Sequence, residues 1–157
     1  MGGRHEARQW AVQFLFQRDF NRDDLESALE FFWAGVKGAA SSRRFAEDLI
    51  RGVDAQREEL DRRIQQYAEH WDLKRMGAVD RNVMRVALYE MLHCPDVPPV
   101  VSINEAVELA KELSGAESGK FVNGILDRAR KDIDRPARDA QRAALGKKEK
   151  TPRGDVD

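Results

Sequence analysis

Apolar residues recur along this chain at steps of three and four, not two. Between Arg4 and Phe20 that spacing picks out Ala7, Trp10, Ala11, Phe14 and Leu15, which places them on one face of a helix. Asn21 to Asp24 is a break rich in capping residues, and Asp23 with Glu26 has the form of a capping box, in which two otherwise orphan amides are satisfied. Leu25, Ala28, Leu29, Phe32, Trp33 and Val36 predict a second amphipathic helix that stops near Gly35 or Gly38. Ser41 is placed to cap a third, longer helix with an apolar face of Phe45, Leu49, Ile50, Val53, Leu60, Ile64, Tyr67, Ala68 and Trp71. Val79 to Leu92 reads as the next, with Val79, Val83, Val86, Ala87 and Leu92 inward. Pro95, Pro98 and Pro99 force a loop, because proline lacks a donor and disfavours helix at the residue before it.

Ser102 and Glu105 repeat the capping-box form and predict the start of a helix through Ile103, Ala106, Val107, Ala110 and Leu113. Gly115 is suited to end it, since glycine tolerates backbone angles closed to other residues. A last helix is expected from about Ser118 to Ile133, burying Phe121, Val122, Ile125, Leu126 and Ala129. No strand-like alternation survives for five residues. The expected fold is all-α, a compact bundle of about seven helices in two packed groups, N-terminal and C-terminal. Residues 1–134 form the expected helical domain. Residues 135–157 carry few large apolar side chains and many charges, so a disordered tail is expected there, with at most a helical turn around Ala140 to Leu145.

The 157 residues suit one domain with a short tail. A core of that size buries roughly two-thirds of the unfolded surface, enough to fold without disulfide or metal. The single cysteine, Cys94, has no partner in the chain, as expected for a reducing cytoplasm. No apolar run is long enough for a membrane span, and the Met-Gly-Gly-Arg-His-Glu start has no apolar segment of a secretory signal. The 27 basic and 28 acidic groups nearly cancel. Phosphate binding depends on local Lys and Arg, so a neutral total predicts weak unaided nucleic-acid affinity unless the basic groups cluster.

Catalytic templates do not fit. His5, His70 and His93 are far apart, with no paired spacing for a metal. The glycines mark helix ends, not a phosphate loop, and no serine has a nucleophile-elbow setting. An enzyme is not expected, and no cofactor or metal is implied. Carboxylates are abundant, and none stands out as a buried pair. Two places remain unusual. Residues 1–18 hold Arg4, Arg8 and Arg18 against only Glu6, which suits either a solvated helix face or a phosphate-contacting surface. The stretch Gly115-Ala-Glu-Ser-Gly-Lys-Phe-Val-Asn-Gly124 sets a lysine and an aromatic beside a helix N-terminus. Phe121 there suits either the core or a stacked base of single-stranded RNA.

Three stretches carry a family resemblance. Arg8-Gln-Trp-Ala-Val-Gln-Phe-Leu-Phe16 resembles the opening of the NusB family, in which arginines precede Ala-x-Gln-x-Leu-Tyr. VDRNVMRVALYEML, from Val79 to Leu92, is similar to that family's central helix. VSINEAVELAKELSGAESGKFVNGILD, from Val101 to Asp127, is the most specific of the three. The resemblance covers about residues 4–133.

The resemblance implies an all-α transcription antitermination factor that binds the boxA element of nascent RNA together with NusE, a protein of the small ribosomal subunit. The pair would nucleate an antitermination complex on RNA polymerase, notably during ribosomal RNA synthesis. Carried over by motif, Arg4 and Arg8 would contact phosphates, with Gln13 and Phe16 near the same surface. Lys120 and Phe121 match the family's Lys-Phe, with Phe121 stacked on a base and Glu117 and Ser118 at the loop edge facing the RNA. Asp80, Arg81 and Glu90 fall on the surface implied for NusE, and Tyr89 suits either that surface or the core. Glu6 and His5 interrupt the family's run of basic residues, and His5 is expected to be mostly neutral at pH 7, which predicts lower direct RNA affinity and more reliance on NusE. Two other readings stand beside this one: a protein-interaction scaffold with weakened RNA binding, and the N-terminal NusB-like part of an rRNA cytosine methyltransferase, which would need a further domain beyond Asp157. Monomer or homodimer is left open.

Overall fold

The computed structural model describes residues 3–150, with side chains described through Ile133. It is all-helical among those residues. The elements are α1 (Gly3–Phe20), α2 (Leu25–Ala34), α3 (Ala40–Ala55), α4 (Arg57–Tyr67), a 3-10 turn (Leu73–Arg75), α5 (Ala78–His93), α6 (Pro99–Ser114) and α7 (Ala116–Lys150). The order of elements follows the apolar periodicity. Val83, Met84, Val86, Ala87, Leu88 and Met91 are all buried on α5, and so are Asn82, Arg85 and Glu90, so this central helix is enclosed nearly all round. It packs against α1, α3, α4, α6 and α7. The N-terminal group α1–α3 and the C-terminal group α4–α7 therefore meet across α5. Gly52 on α3 makes one close approach possible: a Cβ there would lie 2.0 Å from the Tyr89 ring of α5.

Several boundaries differ from the sequence pattern, each for a local reason. The cap of α2 is Asp24, not Asp23: its carboxylate accepts from the Ser27 amide at 3.1 Å. Glu26, the expected second member of the box, instead pairs with Arg51 of α3. Ser41 caps nothing, since α3 begins at Ala40 with no side-chain cap. The long third helix is two helices, because Gln56 leaves helical geometry at φ −111°, ψ 20° and ends α3 as it begins α4. Both sides of that bend are tied to the end of α1, Asp54 by Arg18 at 2.6 Å and Arg57 to Asp19 at 3.2 Å.

Helix α6 starts at Pro99, ahead of Ser102. Proline suits a first helical position, where its missing N–H would have no partner anyway. Gly115 ends α6 at φ 110°, ψ 174°, a region that essentially only glycine occupies. Helix α7 runs past the expected end near Ile133 to Lys150, through the Ala140 to Leu145 stretch, whose Ala, Gln, Arg and Leu are strong helix formers. The remainder of the expected tail, residues 151–157, lies outside the described residues. No helix among the described residues is long and apolar enough to cross a membrane.

Candidate nucleic-acid interface

Helix α1 does not present its expected residues on one surface. Gln13 follows Arg4 by nine positions, which at about 100° per residue puts them on opposite sides of the helix. Arg4 lies over the Phe45 ring of α3 at 4.5 Å and donates to Asp96 at 3.3 Å, both side chains being exposed. Gln13 and Phe16 lie on the outer stripe of α1, and Phe16 is 38% exposed and packs edge-on against Phe20 at 5.3 Å.

Arg8 corrects an expectation outright. It is 4% exposed, and its guanidinium makes two 2.8 Å hydrogen bonds to Glu90, itself 1% exposed. Glu90 also accepts from Ser102 at 3.0 Å, and Arg8 reaches Glu105 at 3.3 Å. Arg8 therefore does not face phosphate and Glu90 does not face a partner. They form a buried pair between α1 and α5, the kind of paired carboxylate that the sequence does not single out. Ser102 and Glu105, which have the form of a helix cap, belong to this cluster. Burial works against the Arg8 charge, but the Glu90 and Glu105 carboxylates outweigh it and shift its pKa upward. Arg18 is likewise buried, on Asp54 and the Asp23 carbonyl.

His5 bridges to α6, its ring nitrogens 2.8 Å from Glu105 and 3.3 Å from Glu112. The Glu105 hydrogen bond raises its pKa above the ordinary value, against the desolvation that opposes it. The ring is therefore more readily protonated than an unperturbed histidine. Glu112 lies three residues before Gly115, so α6 connects this edge of α1 with the loop that opens α7.

At that loop the structure gathers a compact group. Lys120 and Glu117 are highly exposed, 3.8 Å apart on the first turns of α7. Ser118 donates to Asp80 at the start of α5, at 3.1 Å. Phe121 is half-buried and meets Trp71 edge-on, with ring centroids 5.5 Å apart and an interplanar angle of 82°. An open cavity of about 600 Å³ lies against these residues, lined also by His70, Arg75 and Gly77. Asp80, expected on a partner-facing surface, thus lines the cavity beside the loop. Burial raises its pKa, the Ser118 hydrogen bond only partly opposing this, and its Oδ1 has no donor among the described residues. The neighbouring Arg81 turns inward, donating to the Leu73 and Met76 carbonyls and to Asp19. Tyr89 is half-buried against Gly52 and the His93 ring.

Trp71 is the residue that sequence reasoning misses. Its spacing after Ala68 continues the apolar face of α4, but α4 ends at Tyr67 and Ala68 caps it. Trp71 falls beyond the helix and is 58% exposed. Among the described residues no group of three His, Cys, Asp or Glu side chains could hold a metal ion.

Comparison with known proteins gives a consistent result. A family model described as the NusB family matches residues 5–131. The transcription antitermination protein NusB of Desulfosudis oleivorans is 43% identical over 136 residues, covering 85% of this chain and 88% of that protein. The solved structure of T. maritima NusB is 42% identical with a TM-score of 0.74, covering 82% of this chain and 90% of that one. A structure of antitermination factors NusB and NusE in complex with dsRNA is 25% identical with a TM-score of 0.73, covering 84% of this chain and 98% of that one.

Proposed function

The chain belongs to the NusB family, and on that premise we propose that it is a transcription antitermination factor which binds boxA-type single-stranded RNA jointly with NusE and supports ribosomal RNA transcription. The observation that carries this reading is the similarity, over most of both chains, to a NusB whose structure is a complex with NusE and dsRNA. The loop opening α7 supports it from the residues upward. Lys120 offers an exposed cation, and Phe121 with Trp71 offers aromatic surface beside an open cavity. Single-stranded RNA is read by such pairings of stacking rings and phosphate-directed charge.

Direct RNA contact is assigned to Lys120, Phe121, Ser118, Gln13 and Phe16, while Arg4, on the opposite side of α1 from Gln13, stays with Asp96 and Phe45. Arg8 and Glu90 act beneath this surface, holding α1 on α5. Glu117 stands beside Lys120 and offsets its charge. The near-neutral total and the scarcity of unpaired cations on α1 fit a protein whose own hold on RNA is weak. A partner that adds contacts to the same RNA then makes the difference, and each ligand strengthens the other by the same coupling free energy. The work is binding, with no catalytic step, within an antitermination complex on RNA polymerase.

Assembly is testable by size-exclusion chromatography with light scattering on the chain, NusE and a boxA RNA. The expected result is one peak whose mass is the sum of all three, with weaker association in each pair containing the RNA. A stable complex with NusE that excludes RNA would replace this reading with a protein scaffold.

A further inference from the structure

We propose that the corner between Trp71 and Phe121 is a nucleotide pocket, in which one unstacked base of single-stranded RNA lies against the Trp71 indole while Arg75 holds its phosphate. This rests on the reading of the chain as an RNA-binding protein and names a site within it.

The aromatic geometry is the first support. Two rings at 82°, 5.5 Å apart, form a right-angled corner. A flat base parallel to one ring then presents its positive edge to the face of the other, the arrangement aromatic pairs prefer. Trp71 is exposed, and its indole N–H has no partner among the described residues. Its backbone, by contrast, is pinned: the Trp71 amide donates to the Ala68 carbonyl at 2.9 Å, and the Trp71 carbonyl accepts from Gln65. An exposed indole on a fixed backbone loses little freedom on stacking. The cavity of about 600 Å³ beside it admits a base and ribose.

Charge around the corner decides the class of occupant. Arg75 lines the cavity, is exposed, and has no side-chain partner among the described residues. His70 lines the cavity as well, Lys120 stands outside its lining beside Glu117, and Asp72, Asp80 and Glu117 line the same cavity. That mixture repels a dense anionic surface such as a lipid layer. It suits a single nucleotide, with one phosphate for the guanidinium and base N–H groups for the carboxylates. Gly77 leaves the wall open, with no atom of the described residues within 4 Å of where a Cβ would stand.

The test is a titration of the full chain with a short single-stranded boxA-type oligonucleotide, with NusE present, reading both affinity and tryptophan emission. Trp10 and Trp33 are buried, so Trp71 is the indole that RNA can reach. RNA is expected to quench the emission. Trp71→Ala should abolish the quench and weaken binding about tenfold, while Trp71→Phe restores most of the affinity. Arg75→Gln should weaken binding severalfold and lower the slope of log affinity against log salt by about 0.7, one phosphate's worth. Unchanged helicity by circular dichroism separates these effects from misfolding. Tight RNA binding with no quench, or with Trp71→Ala equal to the unsubstituted chain, overturns the pocket and leaves the RNA reading standing. No RNA binding by the unsubstituted chain overturns both.

Discussion

Arg8 and Glu90 are a pair from which neither member can be removed alone. Arg8→Ala leaves a carboxylate buried without its cation, which costs about 3–5 kcal/mol. Urea denaturation should show that loss, and a joint Arg8→Met, Glu90→Met replacement should recover much of it. An Arg8→Ala protein of unchanged stability but weakened RNA binding would return Arg8 to the RNA surface. The sequence does not reveal this pair, because Glu90 lies 82 residues from Arg8 and a basic residue near a chain start reads as a surface charge. Glu117 is legible, since local spacing alone sets it one turn from Lys120. Glu117→Asn removes the charge that offsets Lys120 and should tighten RNA binding a few-fold, with equal or weaker affinity in a titration counting against it. His5 sets a pH dependence. Its pKa is raised by Glu105 and Glu112, so its contribution to stability is complete below the unfolded value of about 6.5. It is lost as pH rises through the folded value. The stability difference between the unsubstituted chain and His5→Ala should therefore shrink from pH 6 to pH 9, and a constant difference would show that the ring acts through packing alone.

At the scale of elements, a helix is legible wherever its apolar face meets the core, and its ends are not. The start of α2 shows why. Asp23 and Asp24 both stand before the helix, and the pattern with Glu26 favours Asp23. Arg51, on another helix, draws Glu26 away, and Asp24 caps the Ser27 amide. Asp24→Ala should cost about 1 kcal/mol and Asp23→Ala clearly less. The reverse order in thermal or chemical denaturation would restore the capping box. The start of α6 departs from its local signature for the same kind of reason: Ser102 and Glu105 are held by Glu90, Arg8 and His5, so long-range polar partners override the cap. Trp71 belongs here too. The period of α4 runs on into a turn, and only the termination of the helix at Tyr67 turns an apparent core residue outward.

Across the whole molecule, α5 joins the two helical groups, and a polar network reinforces the joint. Arg85 of α5 binds Asp61 of α4 and Asp19 of α1, and Asp19 also takes Arg81, Asn82 and Arg57. Burial alone would raise the Asp19 pKa, but Arg85 and its other donors lower it on balance. The network thus ties the end of α1 and α4 to α5. The RNA and NusE reading is legible in the three family motifs of the sequence, whereas composition by itself points only to weak binding. The central claim is that RNA and NusE bind this chain together, and the most direct measurement is a fluorescence titration of a boxA RNA with and without NusE at two salt concentrations. Weak binding alone and tighter, salt-sensitive binding with NusE is the predicted result. Affinity that NusE leaves unchanged, or no RNA binding in either case by a folded protein, would contradict it.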